Sequence, residues 1–244
     1  MKFFTKEWYH DTLVAQMCFQ VRKDFKAATF SEKYFESLYQ SQKGWFIKHM
    51  KRAAKHSNTV FNAASAEAEF DASYKENLAF VASLPQNILD KIADVRILAL
   101  GNATQDNIIE ITRYCGQINR KCEAIVEEYE GEREKAAETL GWYKINSLNK
   151  VECAPVAKVE LTDGNLKITT SPEVTEIACE LVLHGFEAEE DSHLALEGST
   201  LLYTEILTTD DGRFAFSLLC ESASGEIFEF NSSCQDLEIE EIVA

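Results

Sequence analysis

Residues 104–141 read TQDNIIEITRYCGQINRKCEAIVEEYEGEREKAAETLG. Apolar residues fall at Ile108, Ile111, Cys115, Ile118, Cys122, Ile125 and Tyr129, at alternating steps of three and four. That is the seam of a heptad-patterned helix. Thr104 stands at the N-cap position, Asp106 puts a negative charge in the first turn, and Gly141 is the C′ stop. Such a helix is roughly 50 Å long. Its seam residues Ile111, Ile118 and Ile125 are expected to be buried, and Glu127, Glu128 and Glu134 exposed. Residues 58–84, with Phe70, Tyr74, Val81 and Leu84 near heptad spacing, are the expected packing partner. A second copy of the chain is the alternative. Cys115 and Cys122 lie one heptad apart, with Cα atoms about 10 Å apart, too far to form a disulfide.

Upstream, the pattern stays helical. Thr5 reads as an N-cap, and Tyr9, Leu13, Met17, Val21 and Phe25 repeat every four residues, with Val14 and Cys18 beside them. Thr29 and Glu32 have capping-box spacing before a second helix carrying Tyr34, Phe35, Leu38, Trp45, Phe46 and Met50. An alanine-rich third helix follows Ser57-Asn58. Ser83 and Gln86 form another capping box, with Pro85 just inside the helix start, and Ile88, Leu89, Ile92, Val95, Ile97, Leu98 and Leu100 make that helix short and strongly apolar.

Downstream, near Asn146, the hydrophobic period changes from 3.6 to 2. Asp163-Gly164 is a two-residue hairpin signal between alternating segments. Ile177, Cys179, Leu181 and Leu183 share one strand face. Asp210-Asp211-Gly212 and Ser224-Gly225 mark further turns, and Leu237-Glu238-Ile239-Glu240 closes the pattern. About seven strands fit, and their short connections require antiparallel pairing. The fold class is therefore α+β: a helical part over 1–145 with the long heptad helix, then an acidic antiparallel β part over 150–244, a sandwich or a curled sheet.

Apolar content of 45% and charged content of 27%, with only three prolines, are those of a soluble globular chain. No apolar run approaches the roughly 18 residues of a membrane span. The opening residues reach charge after two phenylalanines, too soon for a signal peptide. Seven scattered cysteines without a C-x-x-C pattern point to a reducing cytoplasm. The net charge of −17 is uneven. Residues 1–150 hold 21 Lys and Arg against 20 Asp and Glu, a balance of +1, and residues 151–244 hold 3 against 21, a balance of −18. An acidic field of that size repels phosphate and argues against nucleic acid.

Three features together resemble a bacterial domain family of unknown function. They are the opening Phe4-Thr5-Lys6-Glu7-Trp8-Tyr9, the central Leu84-Pro85 to Ala93-Asp94-Val95-Arg96-Ile97-Leu98-Ala99-Leu100-Gly101, and a β-rich tail after a long helix. The family's β part often opens on His-Asp-Ala, where this chain has Glu152-Cys153-Ala154. The resemblance implies a bacterial cytosolic setting and no activity.

Chemistry-bearing patterns are sparse. The sequence contains no G-x-x-x-x-G-K-S/T, G-x-G-x-x-G, H-E-x-x-H or G-x-S-x-G. No catalytic, cofactor or metal residue is assigned. Trp8 and Tyr9 read as packing residues and His10-Asp11 as helix surface. Glu187, Glu189, Glu190 and Asp191, with His193, supply oxygen ligands without the spacing of a calcium loop. Lys48, Lys51, Arg52 and Lys55, at helical spacing beside Trp45, form the one basic and aromatic segment. These two charged runs are the candidate interaction surface. The leading expectation is a non-enzymatic binding or scaffold protein acting through protein–protein contacts. One alternative is an enzyme with a site between the two parts, drawing on His10, His184 or His193. The other is an acidic neutralising partner of a basic toxin or nuclease.

Overall fold

The computed structural model describes residues 1–17, 21–172, 177–189 and 191–242. Cys18 and Glu190 lie outside the described residues. The chain is α+β, with helices first, a long helix at 105–140, then antiparallel sheets. Its packing gathers it into two compact units, Met1–Leu13 with Asn119–Ala244, and Val14–Ile118. The unit boundaries fall inside the first and the longest helix, whereas the change from helix to strand falls near residue 151. We call the two units the sandwich unit and the helical unit.

Helix α1 spans Lys6–Gln16, α2 Glu32–His56, α3 Ala63–Ala82, α4 Gln86–Leu89 and α5 Val95–Ala99. Strands β1 (Arg22–Lys23) and β2 (Asn102–Ala103) pair in parallel. Helix α1 is thus shorter than the four-residue period implies. The repeat continues through Val21 and Phe25, but the backbone leaves the helix to pair with β2, and Phe25 is exposed. The cap of α2 is Ser31, whose Oγ accepts the Tyr34 N–H at 3.3 Å, rather than Thr29. Ser83 likewise caps no new helix. It is the C-cap of α3, and its hydroxyl donates to the Phe80 carbonyl. The apolar stretch 88–100 is two short helices, because Asp94 accepts the Arg96 N–H and starts α5 anew.

The helical unit has one core, in which Val14, Met17, Val81, Leu84, Ile88, Leu98, Ile111 and Cys115 are buried together. The central motif is structural within it. The Arg96 guanidinium bonds Asp94 at 2.9 Å and Glu32 at 2.8 Å and lies 4.3 Å from the Phe35 ring centre. Asp94 is buried, and a buried carboxylate needs such a partner.

Helix α6 spans Gln105–Leu140, within the predicted limits. Thr104 Oγ1 accepts the Asn107 N–H at 3.2 Å, and Gly141 ends the helix at φ +85°, a conformation that suits glycine. Of the seam, Ile111, Cys115, Cys122 and Tyr129 are buried, whereas Ile118 and Ile125, expected to be buried, are only half-buried. Glu127, Glu128 and Glu134 are exposed.

Within the sandwich unit, the strands follow helix α7 (Trp142–Ser147). Strands β3 (Val156–Thr162), β4 (Asn165–Thr170), β5 (Ala178–His184) and β10 (Asp236–Ile242) form an antiparallel sheet in the order β10-β5-β4-β3. Strands β6 (Glu187–Ala188), β7 (Thr200–Thr208), β8 (Phe214–Glu221) and β9 (Ile227–Cys234) form a second, in the order β6-β9-β8-β7. Leu166, Ile168, Leu181, Leu183 and Leu237 of the first sheet share one core with Leu201, Ile206, Phe216, Leu218 and Phe230 of the second. The β part is therefore a sandwich. Burial of each such side chain favours folding by about 1.5–3 kcal/mol. Ala136 and Ala137 of α6 and Ile145 of α7 join the same core.

Candidate functional site

The basic run lies on α2 in the helical unit. Phe35, Tyr39 and Phe46 of α2 meet Phe70 and Tyr74 of α3, which turns one face of α2 inward. Lys43 is anchored to Asp71 at 2.8 Å. Beyond it Lys48, Lys51, Arg52 and Lys55 are all exposed, and among the described residues none has an ion-pair partner. Residues 37–66 contain five cations and no carboxylate, so no counter-charge is local in sequence either. Lys48 with Arg52, and Lys51 with Lys55, are like-charge pairs four residues apart. Each such pair destabilises an isolated helix by about 0.2–0.5 kcal/mol. Next to the row Trp45 is 68% exposed and stacks on His49, with centroids 5.4 Å apart and an interplanar angle of 14°.

The acidic run belongs to the sandwich unit. Glu187 is on β6 and pairs with Arg213 at 3.3 Å, Glu189 is exposed, and Asp191 adopts φ +60°. Glu190 is outside the described residues. Among the described residues no group of three His, Cys, Asp or Glu side chains is placed to hold a metal ion. His184 sits 3.5 Å from Glu238, and His193 meets the Phe186 ring edge-on.

A concave site appears elsewhere in the sandwich unit. The N-terminal segment lies on β7 and β9. Buried Glu205 of β7 accepts the backbone N–H groups of Lys2, Phe3 and Phe4 at 2.7, 2.8 and 3.1 Å. Glu229 of β9 accepts the Lys6 N–H at 2.9 Å. Thr5 caps α1 through the Trp8 N–H. This seats Phe4 against Trp8, Tyr129 and Tyr203, with centroids 4.8, 4.6 and 5.7 Å away. Beside these rings is a cavity of about 210 Å³, whose lining includes Glu130, Arg133, Glu152 and Thr204. Burial pushes the Tyr129 phenol up to about 12, and its oxygen accepts the Ile206 N–H at 3.2 Å. Burial also raises Tyr203, with Cys153, Tyr9 and Glu152 adding to the shift. Both rings are therefore neutral near pH 7.

No local sequence pattern marks these residues for binding, and Trp8 reads as a packing residue. Trp8 does pack, and it also lines the cavity. His10, His184 and His193 do not line it. The chain matches no family model, no curated protein and no solved structure.

Proposed function

We propose that this is a non-enzymatic binding or scaffold protein of the bacterial cytoplasm that acts through protein–protein contacts. Its contact surface is the row Lys48, Lys51, Arg52 and Lys55, and its partner is an acidic protein surface. The observation that carries this is four exposed, like-charged side chains on one helix face without an ion-pair partner among the described residues. Such a row costs stability in isolation and is neutralised when an acidic surface meets it. Trp45 supplies the large exposed ring that interface centres favour. The whole-chain charge of −17 opposes a phosphate polymer in the same role.

A second reading, neutralisation of a basic toxin or nuclease, draws on the other unit. The sandwich unit holds 11 Lys and Arg against 30 Asp and Glu, a balance of −19, and the helical unit 13 against 11, a balance of +2.

The test is photo-crosslinking from position 45 in living cells, with Lys48→Glu, Lys51→Glu and Arg52→Glu combined as the control. An acidic protein captured by the wild type and lost in the reversed variant is the expected result. Capture of a second copy would identify self-association, which light scattering across a salt series checks independently. Crosslinks to nucleic acid alone, or protein crosslinks indifferent to the reversal, would sink the proposal.

A further inference from the structure

We infer that the cavity in the sandwich unit binds a small organic ammonium ion, one cationic nitrogen on a compact apolar body. The site is distinct from the basic row and needs no part of the reading above.

Size comes first. Room of about 210 Å³ corresponds to about seven waters at their liquid volume of ~30 Å³ each. It is smaller than the roughly 300–1,000 Å³ of drug-sized sites, so the ligand has few heavy atoms.

Lining chemistry selects the charge. Phe4, Trp8, Tyr129 and Tyr203 present aromatic surface, with Trp8 perpendicular to Tyr203 and Phe4 at 70° to Tyr129. The four rings line one small volume, and aromatic faces attract cations. Two carboxylates line the same space, Glu130 and Glu152. Glu152 Oε1 is held by the Thr204 N–H at 3.1 Å and the Thr204 hydroxyl at 2.8 Å. Among the described residues its Oε2 has no hydrogen-bond partner, so an acceptor is left for an ammonium N–H. Arg133 is the one cation in the lining, and it is committed to Glu130 at 3.4 Å and to the Asn146 side-chain oxygen at 3.2 Å. Two carboxylates against one guanidinium leave the lining at −1, within a unit whose balance is −19. An anion is repelled there, and a neutral apolar molecule leaves Glu152 unanswered.

Three of the four aromatic residues are also anchored by hydrogen bonds. The Phe4 N–H is on Glu205, the Trp8 indole N–H points to the Cys122 carbonyl at 3.5 Å, and Tyr129 holds the Ile206 N–H. A box set before the ligand arrives loses little entropy on binding.

The test uses the full chain and two probes of one shape, tert-butylammonium chloride and tert-butanol, with sodium chloride matching the ionic strength. Indole N–H signals are followed by NMR and assigned with Trp45→Phe and Trp142→Phe, both at exposed positions. The expected result is a saturable shift of the Trp8 indole, with the ammonium binding at least about tenfold tighter than the alcohol. Glu152→Gln keeps a carbonyl oxygen for Thr204 and removes the charge. It should weaken ammonium binding about tenfold and leave the alcohol unchanged. No saturable shift, equal binding of the two probes, or a Glu152→Gln protein that binds the ammonium like the wild type would each overturn the assignment.

Discussion

Glu205 is a carboxylate only 1% exposed, and among the described residues no cation pairs with it. An ion in that position is costly unless hydrogen bonds replace its water. Three consecutive backbone N–H groups do so, each a charge-assisted bond. Glu205→Ala removes both acceptor oxygens and takes the partner from three donors, two of them on the buried residues Phe3 and Phe4, so the expected cost is about 3–5 kcal/mol. Glu205→Gln keeps an oxygen but brings an unwanted NH₂ into the same space, and it should fall between the two. Urea unfolding curves of the three proteins measure this. A Glu205→Ala protein as stable as wild type would mean that the N-terminal segment is not held there.

Helix α6 serves two packing environments with one stripe. Ile111 and Cys115 belong to the core of the helical unit, whereas Tyr129, Ala136 and Ala137 are buried in the sandwich unit. Ile111→Ala should cost about 2–5 kcal/mol, as deletions at fully buried aliphatic sites do. Ile118→Ala, at a half-buried site, should cost clearly less, and Glu127→Ala should stay within about 0.5 kcal/mol. Chemical denaturation of the three variants checks the ranking, and equal losses at Ile111 and Ile118 would contradict it. The seam was legible in the sequence because hydrophobic period reports which side of a helix is buried. It does not report what lies on the other side, so the division of the seam between two cores was not legible. Hairpins fared well for a local reason: Asp163 and Gly164 both adopt positive φ, which few residue pairs do readily. Caps and lengths fared worse where two candidates compete. Thr29 and Ser31 are chemically equivalent acceptors, and only the path of the chain chooses between them. Likewise, Val21 and Phe25 keep the period of α1 beyond Gln16, yet pairing with β2 governs that segment.

For the whole molecule, alkaline pH is the revealing variable. Burial, aided by Asp24, pushes Tyr34 up to about 12, and burial, aided by Asp71, does the same for Tyr39. Burial takes Tyr129, Cys220 and Cys234 to about 12 as well. The folded protein therefore keeps protons that the unfolded chain releases near 10.0 for a phenol and 9.0 for a thiol. Stability from these groups is complete below about pH 9 and declines as pH rises toward about 12. Urea midpoints at pH 8, 10 and 11 should fall in that order, and a flat series would refute the assignment. The candidate sites differ in how they could be seen. The basic row was legible because helical spacing is local, and its four residues do share an exposed position on α2. Charge alone groups the acidic run with it, but packing assigns Glu187 to the other unit. The aromatic cavity left no trace in the sequence. Phe4, Tyr129, Glu152 and Tyr203 come from four separated segments, and only the fold brings them together.

The grip of Glu205 on residues 2–4 also bears on how the protein comes into being. A ribosome makes Phe3 first and Glu205 some 202 residues later. Residues 14–118 form a contiguous unit that is made before β7 and β9, while Phe3, Phe4 and Trp8 wait for those two strands. Closing so long a loop is slow, and three large apolar side chains stay uncovered in the interval. In pulsed hydrogen exchange during refolding, the Phe3 and Phe4 amides should gain protection after those of α3. If they are protected first, the segment is not the last piece to dock. The same delay makes the nascent N-terminal segment a stretch that a chaperone would shelter.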